Sequence, residues 1–577
     1  MKKRPKPARK QRDKGPIEQE EQGAIVKQGK GMVKAALVYP NTYKAGMSSL
    51  GFQTVYRLAN QMETIACERI FLPDHRQKNQ QIRSLETGLS LDKFDIILFS
   101  ISFENDFIHV IHLLEETGIP LRSSHRTPFH PLVVAGGVAC FLNPEPIAPF
   151  MDLFLLGEAE CLIEPFFKKF QKALSRSDFL SSLESDLAGA YVPSRHLPIL
   201  HGDTGFNIPP ARIQVQYLSR LDQVKTTTTI MSSGTAFQET FLIEILKGCP
   251  HGCRFCTAGF IYRPPRIYPK QTLFQAIDQA KEKAQKIGLV SSAVLDHPDI
   301  QPICLYARNQ GLKLSFSSLR ADKLTDDIIE VLAESGVKTA TIAPEAGSER
   351  MRNIINKHIT QQDILKGVKN LVSKGIINLK LYFMIGLPFE TDQDVHAIVC
   401  LAQEIKAVFL QVSQARKKIG TITLSINPFI PKPFTPFQWS AMTSETTLKH
   451  RMDIIRQGLK KTANVKINFE SLREARHQAL LSLGDRNTAD ILEQAVQYGW
   501  TRALKMNQAY CDTVLYQEKP RPGTRSNTLL PWDILEHRVS GDFLVKEFKK
   551  AFQEKKSPPC PMKECSLCRI CLSSNEF

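Results

Sequence analysis

Short apolar runs rich in branched side chains alternate with stretches of helical period along most of the chain, which restricts it to sheets wound with helices. Val33 to Tyr39 has the pattern of a buried strand, and Phe52, Val55, Tyr56 and Ala59 then recur at helical spacing. The unit repeats. Phe94 to Ser100 precedes a helix carrying Phe107, Ile108, Ile111 and Leu114, and Leu132 to Ala135 and Leu153 to Leu156 follow as strands. Strands separated by helices pair in parallel, so residues 32–190 predict a doubly wound, Rossmann-like α/β domain. Ligands of such sheets bind beyond the carboxyl ends of the strands, here Pro40 to Gly51, Ser100 to Phe103, Gly136-Gly137 and Gly157-Glu158. The adjacent glycines either admit a ligand close to the backbone or make a tight strand-to-helix turn.

The pattern fades from about residue 186, and Thr226 to Thr229 with Ser232, Ser233 and Gly234 predicts an exposed connection within residues 191–238. Strand-like runs then resume at Thr240 to Leu246, Val290 to Leu295, Lys313 to Ser317, Thr339 to Ala343, Asn378 to Ile385 and Thr421 to Ile426. Six such units predict a TIM-like (β/α)6 barrel over residues 239–440, with its chemistry at the C-terminal strand ends. Residues 441–550 are helical and polar, loosening at Lys519-Pro520-Arg521-Pro522-Gly523, and residues 551–577 form a cysteine-rich tail.

A chain of 577 residues, 42% of them hydrophobic, has material for several cores. No run approaches the roughly 18–20 apolar residues of a membrane span, and no apolar signal core follows the charged N-terminus. A cytoplasmic protein without a membrane partner is expected. The formal net charge of +17 suits a polyanionic partner such as RNA, although part of it is local. Residues 1–14 carry eight basic side chains against Asp13, within a basic, disordered start over residues 1–31 that is equally well a solvated tail.

Thirteen cysteines in a reducing compartment argue for metal rather than a disulfide framework. Cys67, Cys140, Cys161, Cys304, Cys400 and Cys511 are scattered and expected as small buried hydrophobes, whereas seven others fall in two clusters. The first, Gly248-Cys249-Pro250-His251-Gly252-Cys253-Arg254-Phe255-Cys256, follows the first barrel strand, where a barrel keeps its active site. Three thiolates leave one iron of a 4Fe-4S cluster open to a further ligand. A closed zinc site would need a fourth ligand, for which only His251 is close in sequence, and a redox use of Cys253-x-x-Cys256 would leave Cys249 idle.

This loop resembles that of the radical S-adenosylmethionine (SAM) superfamily, whose CxxxCxxC pattern matches Cys249, Cys253 and Cys256, with the usual aromatic at Phe255. Ala343-Pro344-Glu345-Ala346-Gly347-Ser348-Glu349 resembles the strand end that contacts SAM, and Tyr382 to Pro388 the later strand whose backbone, at Gly386, lies beside adenine. Asn427 to Phe437 resembles the barrel exit of methylthiotransferase-like and cobalamin-type members. With Leu319 to Asp322, Gly484 to Arg486 and Leu530 to Asp533, the chain is similar to a group that joins a cobalamin-binding-like domain to a radical SAM domain. The resemblance implies a cluster and SAM at the barrel, with Asp296 and Glu345 as SAM contacts, and cobalamin as a candidate ligand near Gly136 and Gly137. It departs from the group pattern in two places. The loop Tyr39 to Gly46 lacks the histidine of DxHxxG, and Asp74-His75 has the wrong spacing; Leu295-Asp296-His297-Pro298 stands where GGE is usual.

The second cluster, Cys560, Cys565, Cys568 and Cys571, is too compact for a core of its own and predicts either a second iron-sulfur cluster or zinc. The expected function is methylation or a related radical modification of a substrate such as RNA, with a reducing partner of the flavodoxin or ferredoxin type. A methylthiotransferase-like or redox radical enzyme is the nearest alternative, and a non-catalytic iron-sulfur or zinc nucleic-acid-binding protein the alternative of another class.

Overall fold

The computed structural model describes residues 21–74, 81–201, 212–316, 319–521, 529–562, 565–568 and 570–573. The basic residues 1–14 and His75 lie outside them. Strands β1 (Val33–Thr42), β2 (Ile65–Leu72), β3 (Ile96–Ser100), β4 (Leu132–Gly136), β5 (Leu153–Leu155) and β6 (Ala190–Tyr191) form one sheet in the order β2-β1-β3-β4-β5-β6. All neighbours are parallel except β5 and β6. The order turns around between β1 and β3, which places the ligand crevice at their carboxyl ends. Ala35 to Tyr39 is buried on both faces, as a central strand covered by helices requires.

Strand β2 is missing from the expected pattern because Glu68 and Arg69 interrupt its apolar run. Arg69 is buried all the same, paired with Glu21 and Glu86 at 2.7 Å each, so the strand, although at the sheet's edge, is buried despite its charges.

Among the described residues, seven strands of the second part form two parallel sheets. β7 (Thr240–Glu244), β8 (Lys286–Val290) and β9 (Lys313–Phe316) make one parallel sheet, and β10 (Thr339–Glu345), β11 (Asn378–Ile385), β12 (Ile422–Pro428) and β13 (Val465–Phe469) another. A bridge between Leu319 and Ile342 joins them, and among the described residues no ladder closes β13 onto β7, so the arrangement is an open arc. Two expectations change. The strand expected at Val290 to Leu295 is β8, ending at Val290; Val294 and Leu295 are buried in a turn of 3-10 helix folded over the strand ends. The seventh strand, in the region read as helical, alternates half-buried Val465, Ile467 and Phe469 with exposed Lys466 and Asn468, the period of an edge strand.

Helix Asp392–Ala415 is long and apolar enough by composition to cross a membrane, but Asp394, Glu404 and Lys406 interrupt it, so it is not an uninterrupted apolar run. Here Val395, Ile398, Ala402, Ile405 and Phe409 are buried in the core shared with the strands of the arc. One face of the N-terminal sheet, with Val38, Ile97, Phe99 and Val133, belongs to that same core, while Leu37, Ile96, Leu98 and Val134 face a separate one. The two α/β parts are thus packed as one body. Among the lone cysteines Cys67, Cys140, Cys304 and Cys511 are buried; Cys161 is half-buried and Cys400 exposed, since its side of the long helix faces away from the core.

Candidate active site

The cysteine loop is held at the mouth of the arc by a short antiparallel hairpin, Leu246–Lys247 against Arg266–Ile267. Gly248 leaves the hairpin at φ +86°, and a Cβ there would stand 2.8 Å from Tyr262 Cβ. Further on, a Cβ on Gly259 would meet the His251 carbonyl at 2.2 Å, so the loop folds back on itself only with glycine at this place.

Cys249, Cys253 and Cys256 stand within electrostatic reach of one another. Burial, reinforced by neighbouring thiolate charge, pushes the Cys249 thiol up to about 12 and the Cys256 thiol up to about 11. Backbone N–H groups of His251 and Ala258 donate toward the Cys249 and Cys256 sulfurs. The raised thiols of Cys249 and Cys256, already supplied with donors, and the buried Cys253 beside them match a cationic iron centre, which offsets the burial cost of the thiolates. Among the described residues no three His, Cys, Asp or Glu side chains are already drawn into a metal-holding set, so this fit rests on donor chemistry and proximity. Phe255 is half-buried against the core.

Asp296 and Glu345 both come to this loop. His251 Nε2 lies 2.9 Å from Asp296 Oδ2, both side chains buried, and His251 Nδ1 is buried without a partner. Burial pushes the Asp296 carboxyl up, but the His251 hydrogen bond and the charges of His251, Arg320 and Lys323 outweigh it and hold it below the usual range. Glu345 follows a register break at the end of β10 with φ +68° and accepts from Lys357 Nζ at 3.0 Å. Lys357 and Arg320 both exert their charge on Cys253. Lys357 escaped the sequence reading because only the turn after the Glu349–Ile354 helix brings it back to Glu345.

Gly386 has φ +83°, donates its N–H to Glu390 and accepts from Thr443 Oγ1 at 3.0 Å, so its backbone polar groups are engaged within the protein.

A cavity of about 520 Å³ opens between the two α/β parts. Ser100, Gly136, Gly137 and Glu158 line it from the N-terminal sheet, and Lys247 and Gly248 from the cysteine loop's own hairpin. A Cβ on Gly137, at φ +101°, would lie 2.4 Å from the Ile101 carbonyl, and one on Gly136 3.0 Å from that of Leu155. These glycines therefore serve the close approach of strand ends while also facing the cavity. At the barrel side Glu158 pairs with Arg266 at 2.6 Å, and Lys247 sits 3.1 Å from Glu244 and 3.5 Å from Glu160. Burial lowers the Lys247 ammonium, but Glu244, Glu158 and Glu160 outweigh it and keep it charged.

The four tail cysteines lie within electrostatic reach of one another, though they too form no ready-made metal-holding set among the described residues. Cys560 and Cys568 are buried, Cys565 and Cys571 half-buried, and the Cys571 thiol feels the other three.

A parallel barrel arc that presents three thiols, with acidic strand ends beside them, defines an enzyme of the cluster-and-SAM kind. The chain belongs to the radical SAM superfamily. The family described as "Radical SAM superfamily" matches residues 243–402, and that described as "Radical SAM proteins, N-terminal" matches residues 51–193. An uncharacterized protein of Methanocaldococcus jannaschii is 32% identical over 465 residues, 80% of this chain and 91% of its own length. The ribosomal protein uS12 methylthiotransferase RimO of Thermodesulfovibrio yellowstonii is 22% identical over 205 residues, 33% of this chain and 48% of its own. The structure of the cobalamin-dependent S-adenosylmethionine radical enzyme OxsB, with aqua-cobalamin and S-adenosylmethionine bound, shares 14% identity at a TM-score of 0.45; the match covers 67% of this chain and 56% of that one. The superfamily uses a 4Fe-4S cluster and SAM.

Proposed function

We propose that this radical SAM enzyme methylates, or carries out a related radical transfer on, a substrate group admitted to the cavity between the N-terminal sheet and the cysteine loop. The single observation that carries this is the continuity of one cavity from the strand ends of the doubly wound sheet to Gly248, next to Cys249. Cys249, Cys253 and Cys256 hold the cluster, and Phe255 packs the loop in place. When bound, cluster and SAM supply a 5'-deoxyadenosyl radical by one-electron cleavage of a carbon-sulfur bond. Asp296, oriented by His251, and Glu345, oriented by Lys357, offer carboxylate oxygens to the amino and hydroxyl groups of SAM. Leu37, Leu98, Phe99 and Val134 on the cavity wall exclude water from a reactive intermediate.

The volume lies within the usual small-molecule range of roughly 300–1,000 Å³. It admits a single extruded nucleotide rather than a duplex, which is how the RNA proposed from the +17 charge would enter. A corrinoid in the cavity would have Gly136, Gly137 and Glu158 for contacts and no histidine among the described lining residues. His109 reaches the Pro40 carbonyl at 2.9 Å but does not line the cavity. Cobalamin held here is expected to show no nitrogen splitting from a protein histidine in electron paramagnetic resonance of its Co(II) form; such splitting would refute that arrangement.

Anaerobically reconstituted protein given SAM and dithionite is expected to release 5'-deoxyadenosine, and Cys249→Ala, Cys253→Ala and Cys256→Ala each to abolish it. Full production by any one of the three would sink the assignment.

A further inference from the structure

Residues 555–560 lie against the cysteine loop and its supports. The Cys560 N–H donates to the Pro250 carbonyl at 2.7 Å, one residue from Cys249. Asn356, fully buried at φ +56°, donates to the Gly252 carbonyl at 3.0 Å and accepts the Ser557 N–H at 2.8 Å, tying loop and tail through one side chain. Arg254 pairs with Glu547 at 3.2 Å and donates to the Lys555 carbonyl at 2.7 Å; His358 Nε2 donates to the Ser557 carbonyl at 2.7 Å. The tail's apolar anchorage is limited to Met562, Cys568 and Ile570 on the main core, while Leu567 is 54% exposed. The Cys565 backbone N–H donates to the Cys571 sulfur, and that of Met562 to the Cys560 sulfur. A segment this short, with four thiols within electrostatic reach of one another and few apolar side chains, takes its folding energy from a bound ion.

We propose that Cys560, Cys565, Cys568 and Cys571 bind a thiophilic metal, as an iron-sulfur cluster or as zinc, and that this site locks the tail as the back wall of the Cys249–Cys256 loop, fixing the three thiols for their own cluster. The metal acts on the loop through the Cys560–Pro250 bond and the Asn356 bridge, so Cys560 and Asn356 are positioning residues. The proposal needs the tail metal and the two contacts, and it stands apart from what the loop catalyses.

The test uses full-length protein carrying Cys249→Ala, Cys253→Ala and Cys256→Ala, so that the tail is the remaining thiol-rich site. Elemental analysis is expected to find bound iron or zinc, the element separating the two forms, and Cys565→Ala with Cys568→Ala to remove it. In the same pair hydrogen exchange across residues 249–256 is expected to speed up at least about tenfold, while exchange in β11 and β12 is unchanged. Asn356→Gly, which keeps the positive φ accessible, is expected to loosen the loop similarly while retaining the tail metal. Absence of metal in the three-cysteine variant overturns the site. Loop exchange that ignores both tail metal and Asn356→Gly overturns the coupling.

Discussion

Cys249, Cys253 and Cys256 were legible in the sequence because their spacing is itself the chemistry. Their supports were not. Arg254 lies between two of them and is fully buried, yet nothing local predicts its partner Glu547, 293 residues away. Its donors also reach the carbonyls of Asn353, Ile354 and Lys555, which makes it the node between loop, barrel and tail. Removing one member of a buried pair leaves an uncompensated charge at a cost of about 3–5 kcal/mol. Glu547→Ala is therefore expected to lower the unfolding free energy by about that amount, a larger loss than Glu554→Ala, whose pair with Arg350 is half-exposed and worth about 0–1 kcal/mol. Urea titrations of the two variants compare them, and equal losses would remove Arg254 from its role as node.

At the scale of elements, the βα alternation was readable where strands are mostly apolar, as in β1, β3 and β4, or alternate regularly, as in β11. It failed at β2, where the Arg69 ion pairs disguise a buried strand, and at Val294-Leu295, where apolar residues are buried by a turn. Gly136-Gly137 carried two readings; the pair makes the strand-to-helix passage, and it also faces the cavity into which the proposed function places a ligand. The passage can be tested against a control. Gly336 has φ +79° with open space where a Cβ would stand, so Gly336→Ala is expected to cost only the left-handed strain, about 1–2 kcal/mol. Gly137→Ala, at φ 101° and ψ 169°, a conformation essentially restricted to glycine, adds a clash with the Ile101 backbone and is expected to cost clearly more and to alter ligand access to the cavity. Chemical denaturation of both variants measures the difference; a smaller loss at Gly137 would mean that the strand ends separate easily.

At the scale of the molecule, the contacts between parts are the least legible feature, because they join residues hundreds of positions apart. His537 is the clearest case. Its Nε2 lies 2.7 Å from the Phe141 carbonyl in the N-terminal part, its Nδ1 2.5 Å from the Tyr217 hydroxyl in the connecting segment, and its ring 4.1 Å from that of Phe434 at the barrel exit. A carbonyl only accepts, so Nε2 carries the proton and Nδ1 accepts from Tyr217, which fixes the neutral tautomer. Complete burial lowers the imidazole from its ordinary value of 6.5 to about 3, against the weaker opposing pull of the Phe141 carbonyl. With the folded-state value depressed, the unfolded chain binds the extra proton first. The stabilisation is full above pH 6.5 and is lost as pH falls toward 3, at about 1.4 kcal/mol per unit once the unfolded imidazole is charged. His537→Gln keeps a donor for Phe141 and an acceptor for Tyr217 but does not titrate. Unfolding free energies between pH 6 and 4 are therefore expected to fall more steeply in the parent chain than in this variant, by about 1.4 kcal/mol per pH unit. Parallel curves would show that His537 ionises freely in the folded protein, and that the three parts do not depend on its neutral form to stay joined.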